Sequence, residues 1–154
     1  MKKFSIFWVM SFLFSFLGFY LIEHLFTIKP DVISGNGNLG ILIIMLFSPI
    51  FIASYFLTYK LAKEQSYNTR NRKVTAVILS VSLLCCALLV FPIVNYTNEL
   101  IFALGGPPAE PDSRIYRFGW FNQYTNSLFF NVYTFFLTHI LAVILGILTS
   151  LRNK

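Results

Sequence analysis

FSIFWVMSFLFSFLGFYLIEHLFTI, residues 4 to 28, carries no charged side chain before Glu23. About 20 consecutive apolar residues in a helix cross the ~30 Å hydrocarbon layer of a bilayer. Lys2 and Lys3 precede the run, as they would in a secretory leader. The run is longer than a leader's apolar core, and its exit, Glu23-His24-Leu25-Phe26, lacks a small-x-small cleavage site. A retained membrane anchor is therefore expected. No cysteine follows a short leader, so a lipoprotein anchor is not.

Three more windows match it: about 39–59 with Pro49 near its middle, about 74–94, and about 127–149. Each is expected to be helical, because only bonding within the segment satisfies the backbone in lipid. The composition agrees. Of 154 residues, 56% are hydrophobic, 12% are charged and 18 are phenylalanine. An ordinary soluble domain is about 25% charged, and a single small domain has too much surface to hide so much apolar area. The expected fold is a single all-α integral membrane domain over 1–154, with four transmembrane helices in an antiparallel bundle.

Lys and Arg orient it. Lys2, Lys3, Lys60, Lys63, Arg70, Arg72, Lys73, Arg152 and Lys154 fall on one side of four spans, and Lys29, Arg114 and Arg117 on the other. Nine against three predicts both termini in the cytoplasm and a plasma-membrane location, with 60–73 as a cytoplasmic loop. The net charge of +6 then meets the anionic inner leaflet, and no nucleic-acid partner is implied.

Residues 95–126 become the outer loop. Its core, SRIYRFGWFNQY (113–124), has five aromatic rings and two arginines. Tyr and Trp favour the headgroup region, and arginine stems lie along an apolar boundary while their heads reach phosphate. The segment is expected to fold over the outer helix ends as a re-entrant or interfacial collar. Arg114, Tyr116, Arg117, Trp120 and Tyr124 are candidate lipid or partner contacts, since Trp, Tyr and Arg are enriched in binding hot spots. The stretch 106–111, Gly-Pro-Pro-Ala-Glu-Pro, should be stiff and extended. Asn95-Tyr96-Thr97 has glycosylation-acceptor spacing.

Small and weakly polar side chains mark helix contacts in lipid, where no hydrophobic drive acts between helices. Ser11, Ser15 and Gly18 form such a stripe in the first window, Ser54 and Thr58 in the second, and Thr75, Leu79, Ser82 and Cys86 in the third. Ser127, Asn131, Thr134, Thr138 and Ala142 do so in the fourth. Pro49 should bend its helix and free a carbonyl that Ser48 is placed to satisfy.

Asn131 is expected to bond across to another helix, and Asn131, Thr134 and Thr138 are candidate interhelical or pathway residues. Adjacent Cys85 and Cys86 diverge by ~100° on a helix. The pair cannot easily chelate from one helix, and besides His139 no other His, Cys, Asp or Glu lies at that depth, so the three or four ligands of a stable metal site are not assembled. Glu23 and His24 are close enough to the outer interface to snorkel to water. No phosphate-binding glycine loop or catalytic constellation is present, and no cofactor is implied. The expected function is non-enzymatic: a small multipass protein acting by contact, as an accessory, immunity-type or stress-related factor. The alternative is a small transporter or channel, oligomeric if need be, with a polar path along the fourth span. Its expected partners are the bilayer and another membrane protein or further copies of itself.

Overall fold

The computed structural model describes residues 2–35, 37–69 and 71–152, apart from the side chains of Lys2 and Lys3. The orienting cations Arg70 and Lys154, and the side chains of Lys2 and Lys3, thus lie outside the described residues. The chain is 77% helix, and no strand occurs among the described residues. Its helices are α1 (Lys2–His24), α2 (Leu39–Asn68), α3 (Arg72–Ala103), α4 (Arg114–Phe118), α5 (Asn126–Phe129) and α6 (Val132–Arg152). Four stretches are long and apolar enough to cross a membrane: Phe4–His24, Leu39–Asn68, Arg72–Ala103 and Asn126–Arg152.

Two helices outrun their apolar windows. α2 continues through KLAKEQSYN to Asn68, because Lys, Leu, Ala, Glu and Gln are good helix formers in water as well. Thr69 ends it by donating both its amide (3.0 Å) and its hydroxyl (2.7 Å) to the Gln65 carbonyl. Asn71 then caps α3, its side chain accepting from the Lys73 amide at 3.0 Å. Most of the expected loop 60–73 is therefore helix, α2 reaching Asn68 and α3 starting at Arg72. α3 in turn runs to Ala103, so Asn95 lies in a helix and not in a loop. Gly105 and Gly106, with φ of 89° and 106°, close that helix; the Gly106 amide returns to the Ile101 carbonyl at 3.0 Å.

The main core joins α1, α2 and α6. Phe19, Ile22, Phe51 and Phe135 are buried there. Their rings meet edge to face, with centroids 5.0 Å apart for Phe19–Phe51 and 5.4 Å for Phe19–Phe135, the geometry aromatic quadrupoles favour. Two glycines admit close approach. A Cβ at Gly18 would fall 2.6 Å from Phe47, and one at Gly146 would fall 2.5 Å from the Tyr59 carbonyl oxygen. Gly18 belongs to the expected stripe with buried Ser15. The α6 stripe continues in steps of four from Ala142 to buried Gly146 and Ser150. α3 lies along α6, and Thr75 is its one buried residue among those described.

The carbonyl that Pro49 frees is satisfied as expected. A proline at position 49 leaves the carbonyl four residues earlier without its usual donor. The Ser48 hydroxyl donates to that oxygen, Met45 O, at 2.8 Å.

Candidate functional site

The segment between α3 and α6 is a built structure, assembled from short-range bonds. Ser113 caps α4, accepting from the Ile115 amide (3.1 Å) while donating to the Gly106 carbonyl (2.7 Å). The Arg114 amide donates to Leu104 O at 2.9 Å. The single turn of α4 stops at Gly119, whose φ of 76° suits glycine. Asn122 holds the next turn: its Nδ2 donates to Gly119 O at 2.6 Å, and its Oδ1 accepts from the Tyr124 amide at 2.8 Å. The Thr125 hydroxyl donates to Trp120 O at 2.7 Å.

A small second core pins this segment down. Leu104, Ile115 and Tyr124 are buried together, against Ile28, Leu100 and Ile101. The 28–34 stretch is bonded to it. Ile28 N donates to Gln123 O at 2.8 Å, and Ser34 N donates to the Tyr124 hydroxyl at 3.4 Å. Arg114 Nη1 donates to Val32 O at 2.9 Å, and its guanidinium lies 4.3 Å from the Tyr124 ring centroid.

The five candidate contacts therefore divide. Tyr116, Arg117 and Trp120 are exposed, along with Phe118 and Phe121. Arg117 sits 3.8 Å from Asp112, both well exposed, and such a pair adds little stability. Tyr124 is corrected from contact to core: it is 2% exposed, because its ring fills the space under α4. Arg114 is half-buried and holds the 28–34 stretch in place. The expected stiff arm at 106–111 instead turns back, with Glu110 N donating to Pro107 O at 3.0 Å.

Beneath this cap lies a polar joint that the sequence had not disclosed. The fourth span is broken between α5 and α6, at Phe130 and Asn131. Asn131 Oδ1 accepts from the Tyr133 and Thr134 amides, each at 2.9 Å. The Thr134 hydroxyl accepts from the Asn131 amide at 3.0 Å. That reciprocal arrangement is a capping box. Asn131 Nδ2 donates to Ser127 O at 2.7 Å. The expected bond from Asn131 across to another span is not made: its Oδ1 caps α6 and its Nδ2 reaches back to α5 within the same span.

The interhelical bond comes from Glu23 instead. Its Oε2 accepts from the Val132 amide of α6 at 3.0 Å. The Glu23 side chain is only 12% exposed, so it turns inward and does not snorkel, while His24 is exposed beside it. A carboxylate here meets both an unpaired amide and the positive end of the α6 dipole. Nearby, Asn38 and Asn126 bond reciprocally, at 3.0 and 2.6 Å. Gly40 lies so close that a Cβ there would overlap the Asn126 amide.

Deeper in the core, Thr138 donates to Thr134 O at 2.8 Å and approaches the Tyr55 hydroxyl at 3.3 Å. His139 is buried between α1, α2 and α6. Its Nε2 lies 2.8 Å from Ser54 Oγ and its Nδ1 2.8 Å from Phe135 O. Because Phe135 O only accepts, Nδ1 carries the proton and Nε2 accepts from the Ser54 hydroxyl. A hydroxyl on an imidazole oriented by a third group is the geometry of a nucleophile and its base. Here it is sealed: Ser54 is 0% exposed and His139 4%. The rings of Phe12, Tyr55 and Phe135 surround the imidazole, with centroids 4.9, 4.7 and 4.2 Å away. Cys85 and Cys86 are free thiols on α3, apart from this cluster. Trp8 Nε1 donates to Thr58 Oγ1 at 2.9 Å at the same interface.

Some of these residues left a trace in the sequence. Asn131-Val-Tyr-Thr134 has cap-like spacing, and Asn38 directly precedes an apolar helical run, as an N-cap does. Nothing local joined Ser54 to His139 or Glu23 to Val132. Compared with known proteins, the chain matches no family model, no curated protein and no solved structure. The four long apolar helices fit a multi-pass helical membrane protein.

Proposed function

We propose that this is a multi-pass protein of the cell membrane that works by contact, through the aromatic cap, as an accessory, immunity-type or stress-related factor. In this proposal the long helices form an antiparallel bundle with both termini in the cytoplasm. The nine-to-three division of Lys and Arg supports that orientation. The bundle order is supported by pairs at its two ends: Lys60 beside the Phe4 ring, and Glu23 on Val132.

One observation carries the function. Tyr116, Phe118, Trp120 and Phe121 are exposed on a frame whose backbone is bonded at nearly every turn and anchored by buried Ile115 and Tyr124. Exposed rings on a rigid support lose little conformational entropy on binding, which favours recognition. The allocation of hydrogen bonds favours contact over the transport alternative: Asn131, Thr134 and Thr138 spend theirs on the α5–α6 backbone and on Tyr55.

The test is photo-crosslinking in cells with a benzophenone amino acid at position 116 or 120, and at lipid-facing position 81 as control. One discrete protein adduct at 116 and 120, absent at 81 and weakened by Arg117→Ala, supports contact with a membrane-protein partner or a second copy. Adducts to lipid alone, or the same products from all three sites, refute it.

A further inference from the structure

At the end of the bundle away from the aromatic cap, α2 and α6 border an open cleft of about 480 Å³, within the ~300–1,000 Å³ usual for ligand sites. Phe56, Lys60, Lys63 and Tyr67 recur at steps of four, three and four, which places them on one face of α2. Tyr59 completes that wall, and Ser150 of α6 lines the cleft opposite. Ser150 is 0% exposed, and its hydroxyl has no hydrogen-bond partner. A buried hydroxyl left unpaired calls for a polar ligand atom.

The cleft changes character along its length. Phe56 lies ~6 Å deeper than Lys60, at 1.5 Å rise per residue, and is an exposed apolar ring. Lys60, Lys63 and Tyr67 occupy the outer ~10 Å by the same rise. Glu64 also lines the cleft, 3.9 Å from Lys60, and the Phe4 ring sits 5.0 Å from the same ammonium. Lys60 is thereby held at the rim, while Lys63 and Ser150 line the groove from α2 and α6. Cations and hydroxyls above an apolar wall match a phosphate above an acyl chain.

We propose that this cleft seats one anionic phospholipid, its phosphate held by Lys63, Lys60 and the hydroxyls of Ser150 and Tyr67, its acyl chain lying against Phe56. The assignment rests on the membrane placement of the chain, and on its proposed orientation only for the leaflet; it does not involve the aromatic cap. A diffuse attraction of basic residues to anionic lipid is a different thing, because it lacks a fixed cavity and an unpaired hydroxyl.

The full chain in neutral-detergent micelles, offered equal amounts of phosphatidylglycerol and phosphatidylcholine, tests this by native mass spectrometry. The expected result is retention of one phosphatidylglycerol in preference to phosphatidylcholine. Lys60→Gln with Lys63→Gln should cut that preference about tenfold or more, and Ser150→Ala should cut it by a smaller factor. Arg72→Gln with Lys73→Gln removes equal charge outside the cleft and should leave it unchanged. Equal loss in the two double variants, or no preference in the parent chain, overturns the site. Inorganic phosphate or glycerol phosphate displacing the lipid at equal concentration overturns the lipid assignment and marks a site for a soluble phosphate. The crosslinking pattern at 116 and 120 is independent of all these outcomes.

Discussion

Replacing Glu23 with alanine should loosen the start of α6 more than any other single change in the last turn of α1. The Val132 amide is the first of α6 and has no intrahelical partner; Glu23 Oε2 supplies one at 3.0 Å. Glu23→Ala leaves that N–H unpaired in a mostly buried place, at a cost of ~1–3 kcal/mol. Loss of the anion at the positive end of the helix adds ~0.3–1 kcal/mol, and up to ~2 in partly buried settings. The sum is about 1–4 kcal/mol, and up to ~5 with the partly buried dipole value, against the ~5–15 kcal/mol of a typical domain. Glu23→Gln keeps an acceptor oxygen and loses only the charge, so it should cost about 1 kcal/mol by the dipole effect alone.

The assay is unfolding by added dodecyl sulfate in mixed micelles, followed by far-UV circular dichroism, with amide exchange read over 132–135. His24→Ala is the control. His24 is exposed, stacks on Tyr20 and lies 3.8 Å from Glu23, and its loss should stay within ~0.5 kcal/mol, as surface changes do. If Glu23→Ala and Glu23→Gln both match His24→Ala, and exchange at 132–135 does not rise, Glu23 does not hold α6.

Three further outcomes follow from the same geometry. Gly146→Ala should destabilise by ~1–3 kcal/mol, since the new Cβ meets backbone atoms that cannot step aside, whereas Gly35→Ala, where a Cβ meets nothing within 4 Å, should be neutral or slightly stabilising in the same titration. Ser54→Ala and His139→Phe should couple by ~0.6–2 kcal/mol in a double-mutant cycle, as transmembrane hydrogen bonds do; purely additive effects would show that the 2.8 Å contact contributes nothing. Asn131→Ala should cost ~1–2 kcal/mol, with Asn131→Ser recovering most of it by keeping a cap oxygen, and exchange protection at Tyr133 and Thr134 should follow the same order.

The spans were legible because the bilayer sets a length and a hydropathy that a sequence must display. Their true ends were less so. Hydropathy marks where lipid ends, while α2 and α3 continue until their backbone bonds are capped, at Thr69 and at Gly105–Gly106. The small-residue stripes of α1, α2 and α6 were readable, since Ser15, Gly18, Ser54, Thr58 and Ala142 are all buried. What each polar side chain bonds to was not. That depends on the rotation and neighbour order of helices far apart in the chain, such as Ser54 and His139, 85 residues apart. Asn131 shows the difference well: its place on a buried stripe was visible, but the helix break it caps is hidden among Phe129, Phe130 and Val132, which read as uninterrupted span. In the cap, Tyr124 and Trp120 look alike in sequence, and only the fold beneath α4 decides which one is covered.

The allocation of polar groups narrows where this protein can act. In the joint and the core, the functional atoms of Glu23, Asn38, Asn126, Asn131 and His139 are all paired, and pairing of that kind fixes one arrangement of α1, α2 and α6. Ser15 is the exception at depth, a fully buried hydroxyl without a partner, enclosed in the helix interface. Chemistry in the interior would first have to break bonds that hold the helices in place. The surfaces left unspent lie at the two ends: exposed rings on a pinned frame above α3 and α6, and two lysines with an unpaired serine hydroxyl beside α2. α3 buries almost nothing of its own, so it contributes span and lipid contact without closing the core. A molecule built in this way carries both end surfaces on one helical frame, which the proposed contact role would use.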